Sequence, residues 1–160
     1  MRKNLLKHVP LLTAVACTLA LTACEYDVPI TASPTRQVEA RLLGDWTIVT
    51  PQKREHMQIR RFDDWNYVVS IDGGLLRAHH SDLGGMPLVS VQNLEDAKRK
   101  YSYFAWVLSD DGNRLTIKMI RESLVPKETK DSATVVRLIE SNRENPQLFE
   151  ESTVYTRDPK

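Results

Sequence analysis

Cysteine is nearly missing from this chain: two in 160 residues, Cys17 and Cys24, cannot build a disulfide scaffold. Glycine and proline are sparse as well, at six and eight, which excludes collagen-like and low-complexity chains. Neither charge is in excess. The 22 basic and 21 acidic side chains leave a formal net charge of +1, and without a long basic run a nucleic-acid footprint has no electrostatic basis. No apolar run is long enough to span a bilayer comfortably. What remains, 41% hydrophobic and 27% charged, fits one ordinary globular domain with a short extension and excludes disorder and long coiled coils.

The extension is the amino terminus. Arg2, Lys3 and Lys7 form a positive start, and after Pro10 an apolar stretch runs from Leu11 to Ala20, the pattern of a secretory signal peptide. It ends in Leu21-Thr22-Ala23-Cys24, which resembles the lipobox of bacterial lipoproteins. The resemblance implies cleavage before Cys24, so that residues 1–23 are the signal peptide. It also implies a diacylglycerol on the Cys24 thiol and often a further acyl chain, such as palmitate, on the freed amine. Several acyl chains supply enough buried CH₂ groups for stable anchoring. A second cysteine site, Ala14-Val15-Ala16-Cys17, would shorten the apolar core. Cleavage before Cys24 leaves no free thiol, so redox chemistry is not expected. Glu25 follows the cysteine where the inner-membrane retention signal of Gram-negative lipoproteins has aspartate. The expected address is therefore the cell envelope, on the outer membrane facing the periplasm.

Residues 24–37 read as anchor and tether. Pro29, Pro34 and the small run Thr31-Ala32-Ser33 give no sustained apolar period, and Glu25 to Thr35 would reach about 35 Å if extended. Gln37 to Leu43 predicts one or two helical turns ended by Gly44. From Asp45 the apolar period is close to two, with turn residues every eight to twelve positions, which predicts an antiparallel meander. Strands are expected at Asp45–Thr50, Glu55–Phe62, Trp65–Asp72, Leu75–His80, Pro87–Gln92, Lys100–Ser109, Asn113–Arg121 and Ser152–Arg157. Asp72-Gly73-Gly74 and Asp111-Gly112-Asn113 suit tight hairpins.

Between the seventh and eighth strands the period changes. Val135, Val136, Leu138, Ile139 and Asn142 stand at helical spacing, so Asp131 to Asn145 predicts an amphipathic helix capped by Asp131 or Ser132 and stopped by Pro146. The strand Lys100–Ser109 is apolar on both faces, Tyr101, Tyr103, Ala105 and Val107 on one and Phe104, Trp106 and Leu108 on the other. It needs cover twice, and the helix is expected over the second row. The fold class is thus mainly β, a meander closing into a small barrel or a strongly curved sheet, with one helix before the last strand.

Leu43-Gly44-Asp45-Trp46, after a short helical turn and at the start of the first strand, resembles the G-x-W motif that opens lipocalins and related calycin barrels. A helix followed by one last strand is similar to their carboxyl end. Only Gly44 and Trp46 match by motif. Seven strands precede the helix where a lipocalin has eight, and both the T-D-Y-type turn and the common disulfide are missing. The resemblance implies a lipocalin-like barrel over residues 38–160 with Trp46 plugging its closed end. A bore of eight strands is either filled by side chains or holds one small ligand. The expected inward residues Trp46, Trp65, Tyr67, Tyr101, Tyr103 and Met119 are bulky and favour a filled core.

Sites for chemistry are few. Adjacent in one strand, His79 and His80 point to opposite faces and cannot share a metal without a bulge; Asp82 or His56 would have to complete any site. Ser81 and Asp82 beside His80 lack the nucleophile elbow of a hydrolase. The pairs Asp63-Asp64, Asp110-Asp111 and Glu150-Glu151 fall at turns, where solvated acids are expected. Lys53-Arg54, Arg60-Arg61 and Lys98-Arg99-Lys100 are candidates for anionic headgroups, and Gly84-Gly85-Met86-Pro87 for a mobile loop at a barrel mouth. No catalytic residue, metal or cofactor is expected. The expected role is a lipid-anchored, non-catalytic binding or interaction module whose partner is an envelope protein or a small apolar ligand. A lipocalin-like carrier is the second reading, and an envelope hydrolase or metal enzyme using His79 or His80 the third.

Overall fold

Alternation of period two is realised as eight strands: β1 (Gly44–Val49), β2 (Arg54–Arg61), β3 (Asn66–Ile71), β4 (Gly74–His80), β5 (Leu88–Asn93), β6 (Tyr101–Leu108), β7 (Arg114–Met119) and β8 (Thr153–Arg157). Each pairs antiparallel with its sequence neighbour, and β8 pairs with β1 through Trp46↔Arg157 and Thr47↔Thr156, closing the barrel. The computed structural model describes residues 25–50 and 54–159. The predicted signal peptide, Cys17, Cys24 and Lys53 lie outside the described residues.

The β3–β4 hairpin shows how turn chemistry pins the register. Ile71 pairs with Gly74 across the two residues Asp72 and Gly73, whose φ values of 48° and 91° belong to a turn whose twist matches that of the strands. Alternation on β2 is equally clear. Glu55, Met57 and Ile59 are buried between exposed neighbours, so one row faces the bore and the other water.

Before the last strand comes α1 (Ser132–Ser141), capped by the Asp131 carboxylate, which accepts from Thr134 N–H at 2.8 Å. It stops at Ser141, short of the expected Asn145. Asn142 is the carboxyl cap, its side-chain amide donating to the Leu138 carbonyl at 2.9 Å. Val135 and Ile139 are buried against the outside of β5 and β6, in an apolar cluster with Leu88, Tyr103, Ala105, Ile120 and Leu148.

The two faces of β6 are therefore the reverse of the expected ones. Trp106, Phe104 and Leu108 point into the bore, while Tyr103 and Ala105 lie under α1. Cross-strand pairing decides this, because Trp106↔Ile117 and Leu108↔Leu115 join β6 to the inward row of β7. Of the other expected inward residues, Trp46 and Tyr67 are in the bore and Tyr101 is outside. Met119 stays in line with Leu115 and Ile117 but is only half-buried. Trp65 is exposed, because residues 62–65 are used up in the β2–β3 turn and β3 starts only at Asn66.

The stretch read as a tether is a strap on the barrel wall. Tyr26 exchanges backbone hydrogen bonds with Tyr101 (2.8 and 2.9 Å), Thr35 N–H donates to His80 O, and Val38 N–H to Asp64 O. The strap thus climbs from the start of β6 to the β2–β3 turn. There the chain makes a single 3₁₀ turn, Ala40–Leu42, in place of the expected helical turns, and enters β1.

Candidate functional site

The barrel has two ends that differ in chemistry. At the one bearing the β2–β3, β4–β5 and β6–β7 connections, Trp46 is fully buried and its indole N–H donates to the Leu42 carbonyl at 3.0 Å. Arg157 of β8 lies over the indole ring, 4.1 Å from its centroid, and donates to the carbonyls of Leu43 (2.8 Å), Gly112 (2.8 Å) and Arg41. Gly44 leaves room for this: its φ is +144°, and a Cβ there would stand 2.5 Å from the guanidinium. Glycine and tryptophan of the G-x-W motif are thus two parts of one arginine seat, and the motif end is a plug.

The bore beneath is full. Met57, Ile59, Tyr67, Val69, Ala78, Val89, Trp106, Leu115 and Tyr155 are all buried, and Ile48, Ile71, Leu76, Phe104 and Ile117 pack on them. Two cavities lie outside it. One of about 110 Å³ is roofed by strap residues Pro29, Ala32 and Pro34 over Arg77 and His79; the other is a shallow depression beside Arg41, Gly112 and Arg157.

As expected, His79 and His80 diverge. His80 is completely buried inside the wall, 2.8 Å from the Tyr67 hydroxyl and 3.1 Å from the Arg36 guanidinium, with Asp82 at 3.5 Å. Arginine is only a donor, so His80 Nδ1 accepts and Nε2–H donates to Tyr67, whose hydroxyl also accepts from Glu39 N–H at 2.7 Å. Burial pushes the Tyr67 phenol up to about 12. Arg36 in turn pairs with Asp82 at 2.6 Å and Glu39 at 2.9 Å. The arrangement is a latch joining strap to barrel. A second latch is made by hydroxyls, those of Ser81 and Ser90 fully buried: Thr31 donates to Ser81 at 2.8 Å, Ser81 and Ser90 share a bond of 2.9 Å, and Ser90 accepts from Ile30 N–H. Ser81 is thus a strap fastener with no nucleophile's surroundings. His79, on the outer face under the strap, is held down to about 4 by burial and secondarily by Arg77.

His56 sits on exposed β2, bonded to Thr47 and near Asp158, far in register from His80. Among the described residues no group of three or more histidine, cysteine or acidic side chains is arranged to hold a metal ion. The basic candidates are dispersed: Arg60 pairs with Asp45, Arg61 with Asp64, and Lys100 with Asp27. Leu83 and Met86 exchange hydrogen bonds around Gly84-Gly85, and Arg143 beyond α1 donates to Gly84 O. The expected mobile loop is a fastened turn.

Sequence reasoning placed a turn at Asp63-Asp64 between β2 and β3 but missed the exposure of the aromatic residues on either side of it. Phe62 is 67% exposed and Trp65 44%, yet the turn that carries them is braced. Asp63 accepts from Trp65 N–H, Asn66 N–H and the Asn66 amide at 2.7–2.9 Å, and these bonds hold its carboxyl below the usual range. Val38 of the strap ties the far side at Asp64. Two exposed aromatic rings on a braced turn are a candidate recognition surface, since aromatic side chains carry much of the energy of protein interfaces.

No protein family matches the chain, and neither a curated protein nor a solved structure does. Its likeness to lipocalins is one of architecture, an eight-stranded antiparallel barrel. The strand after the helix is here the eighth stave, so the barrel closes with seven strands before the helix.

Proposed function

We propose that this chain is a lipid-anchored envelope protein, processed and acylated at Cys24, whose barrel is a non-catalytic interaction module for another envelope protein. The lipobox supports the anchor, and the lack of aspartate after the cysteine supports the outer membrane. The observation that carries the module is the contrast between bore and turn: the bore is packed with its own side chains, while Phe62 and Trp65 stand uncovered on a braced turn. A small-ligand site is normally concave and largely apolar, whereas this bore is packed with its own side chains, which favours recognition by the outer surface. The lipocalin-like carrier stays as the second reading on the strength of barrel architecture alone.

Cys24→Ser abolishes acylation on this account, and metabolic labelling with a fatty acid reads it; label persisting on the variant moves the site to Cys17. A photo-crosslinking residue placed at Phe62 or Trp65 captures one discrete protein in the envelope, and the same residue at Val107 does not. Equal capture from all three positions overturns the assignment of the partner surface.

A further inference from the structure

We propose that the end of the barrel opposite Trp46 docks directly on phospholipid headgroups, held there with no spacer; this rests on acylation at Cys24. Only Glu25 stands between that cysteine and Tyr26, which is completely buried. Tyr26 is fixed there by stacking on Tyr103 at 3.8 Å between ring centroids and by a 2.7 Å hydrogen bond to the Val125 carbonyl. Two residues give about 7 Å of reach and a glyceryl thioether about 5 Å more. A headgroup layer is about 5–8 Å thick, from a bilayer of about 40–45 Å around a core of about 30 Å. Tyr26 therefore lies within the headgroups or a few ångströms above them, and the loops beside it at residues 94–100 and 121–131 must touch the surface.

The same end carries uncovered apolar side chains. Val49, Leu75 and Val154, at the end of β1 and the starts of β4 and β8, are 41–64% exposed, and β4 starts beside the end of β5 and the start of β6. Lysines of these loops stand among acids: Lys100 and Lys130 share Asp27, and Lys127 pairs with Glu122. Contact of this kind depends on the anchor and on apolar insertion more than on net charge, so it resists salt. Docking also sets the orientation: Phe62 and Trp65, at the opposite end, face away from the bilayer.

The test uses the full chain, processed and reconstituted in vesicles of phosphatidylethanolamine and phosphatidylglycerol, with a fluorophore on Leu75→Cys or Asp110→Cys. Quenching lipids labelled in the headgroup should dim the probe at residue 75 several-fold more than that at residue 110, at low and at high salt alike. Equal quenching at both positions, on protein whose mass shows an acylated Cys24, overturns the docking alone. A mass showing unmodified Cys24 removes the anchoring reading and the docking with it.

Discussion

Arg157 explains why Gly44 and Trp46 occur together. The guanidinium needs the space that a Cβ at Gly44 would fill and the indole face that Trp46 offers, an attraction strengthened by desolvation. Trp46→Ala should cost about 3–5 kcal/mol, the usual range for removing a buried aromatic ring, and a urea melt measures it; an unchanged midpoint contradicts the seat. His79 gives a pH signature. Its folded-state value of about 4 against an ordinary 6.5 means that the unfolded chain takes a proton the folded chain refuses. Stability from this group is fully present above about pH 6.5 and is lost as the pH falls through 4, to the extent of roughly 3 kcal/mol. His79→Phe should flatten the fall in urea midpoint between those values. Gly44 and Trp46 were legible because they form a local motif. Arg157, Arg36 and the Ser81–Ser90 pair were not, because their partners lie at long sequence separation and no local pattern announces them.

At the level of elements, β6 and α1 decide each other. Ile139 is completely buried over the outer face of β6, so Ile139→Asp places an unpaired carboxylate in an apolar layer and should destabilise the domain by several kcal/mol, on the order of the cost of burying a polar group without a partner. Sedimentation beside a urea melt checks this; wild-type stability with altered association would make the outer β6 face an interface between molecules. All eight strands and the helix could be located from apolar period alone. Which face of β6 turned inward could not, since both rows are apolar and only pairing with β7 separates them. The strap escaped for a different reason: Tyr26 and Ile30 are single anchors among prolines and small residues, and irregular backbone has no period to detect. Its docking predicts that Tyr26→Ala, which removes a stacked ring and the bond to Val125, raises amide exchange along residues 26–38 before the barrel itself opens. Exchange unchanged there would mean that the serine and Arg36 latches hold the strap by themselves.

For the whole molecule, a plugged and packed barrel with residues 26–38 strapped to its wall leaves its uncovered aromatic rings, Phe62 and Trp65, on the outside. Closed barrels of eight strands sit at the size where side chains alone can fill the bore, and here Trp106, Trp46 and Tyr67 do so. The sequence predicted a filled core from the bulk of its aromatic residues, although three of the six it assigned to the interior, Trp65, Tyr101 and Tyr103, lie elsewhere and Trp106 takes up much of their part. The most direct test of the module against the carrier is titration of the purified protein with a fluorescent fatty acid, following energy transfer from Trp46 and Trp106 in the bore. The account predicts no saturable transfer, because no apolar probe can enter without displacing packed side chains. Saturable one-to-one transfer, abolished when the bore is narrowed further by Ala78→Leu in a variant that still folds, would contradict it and make the barrel a carrier.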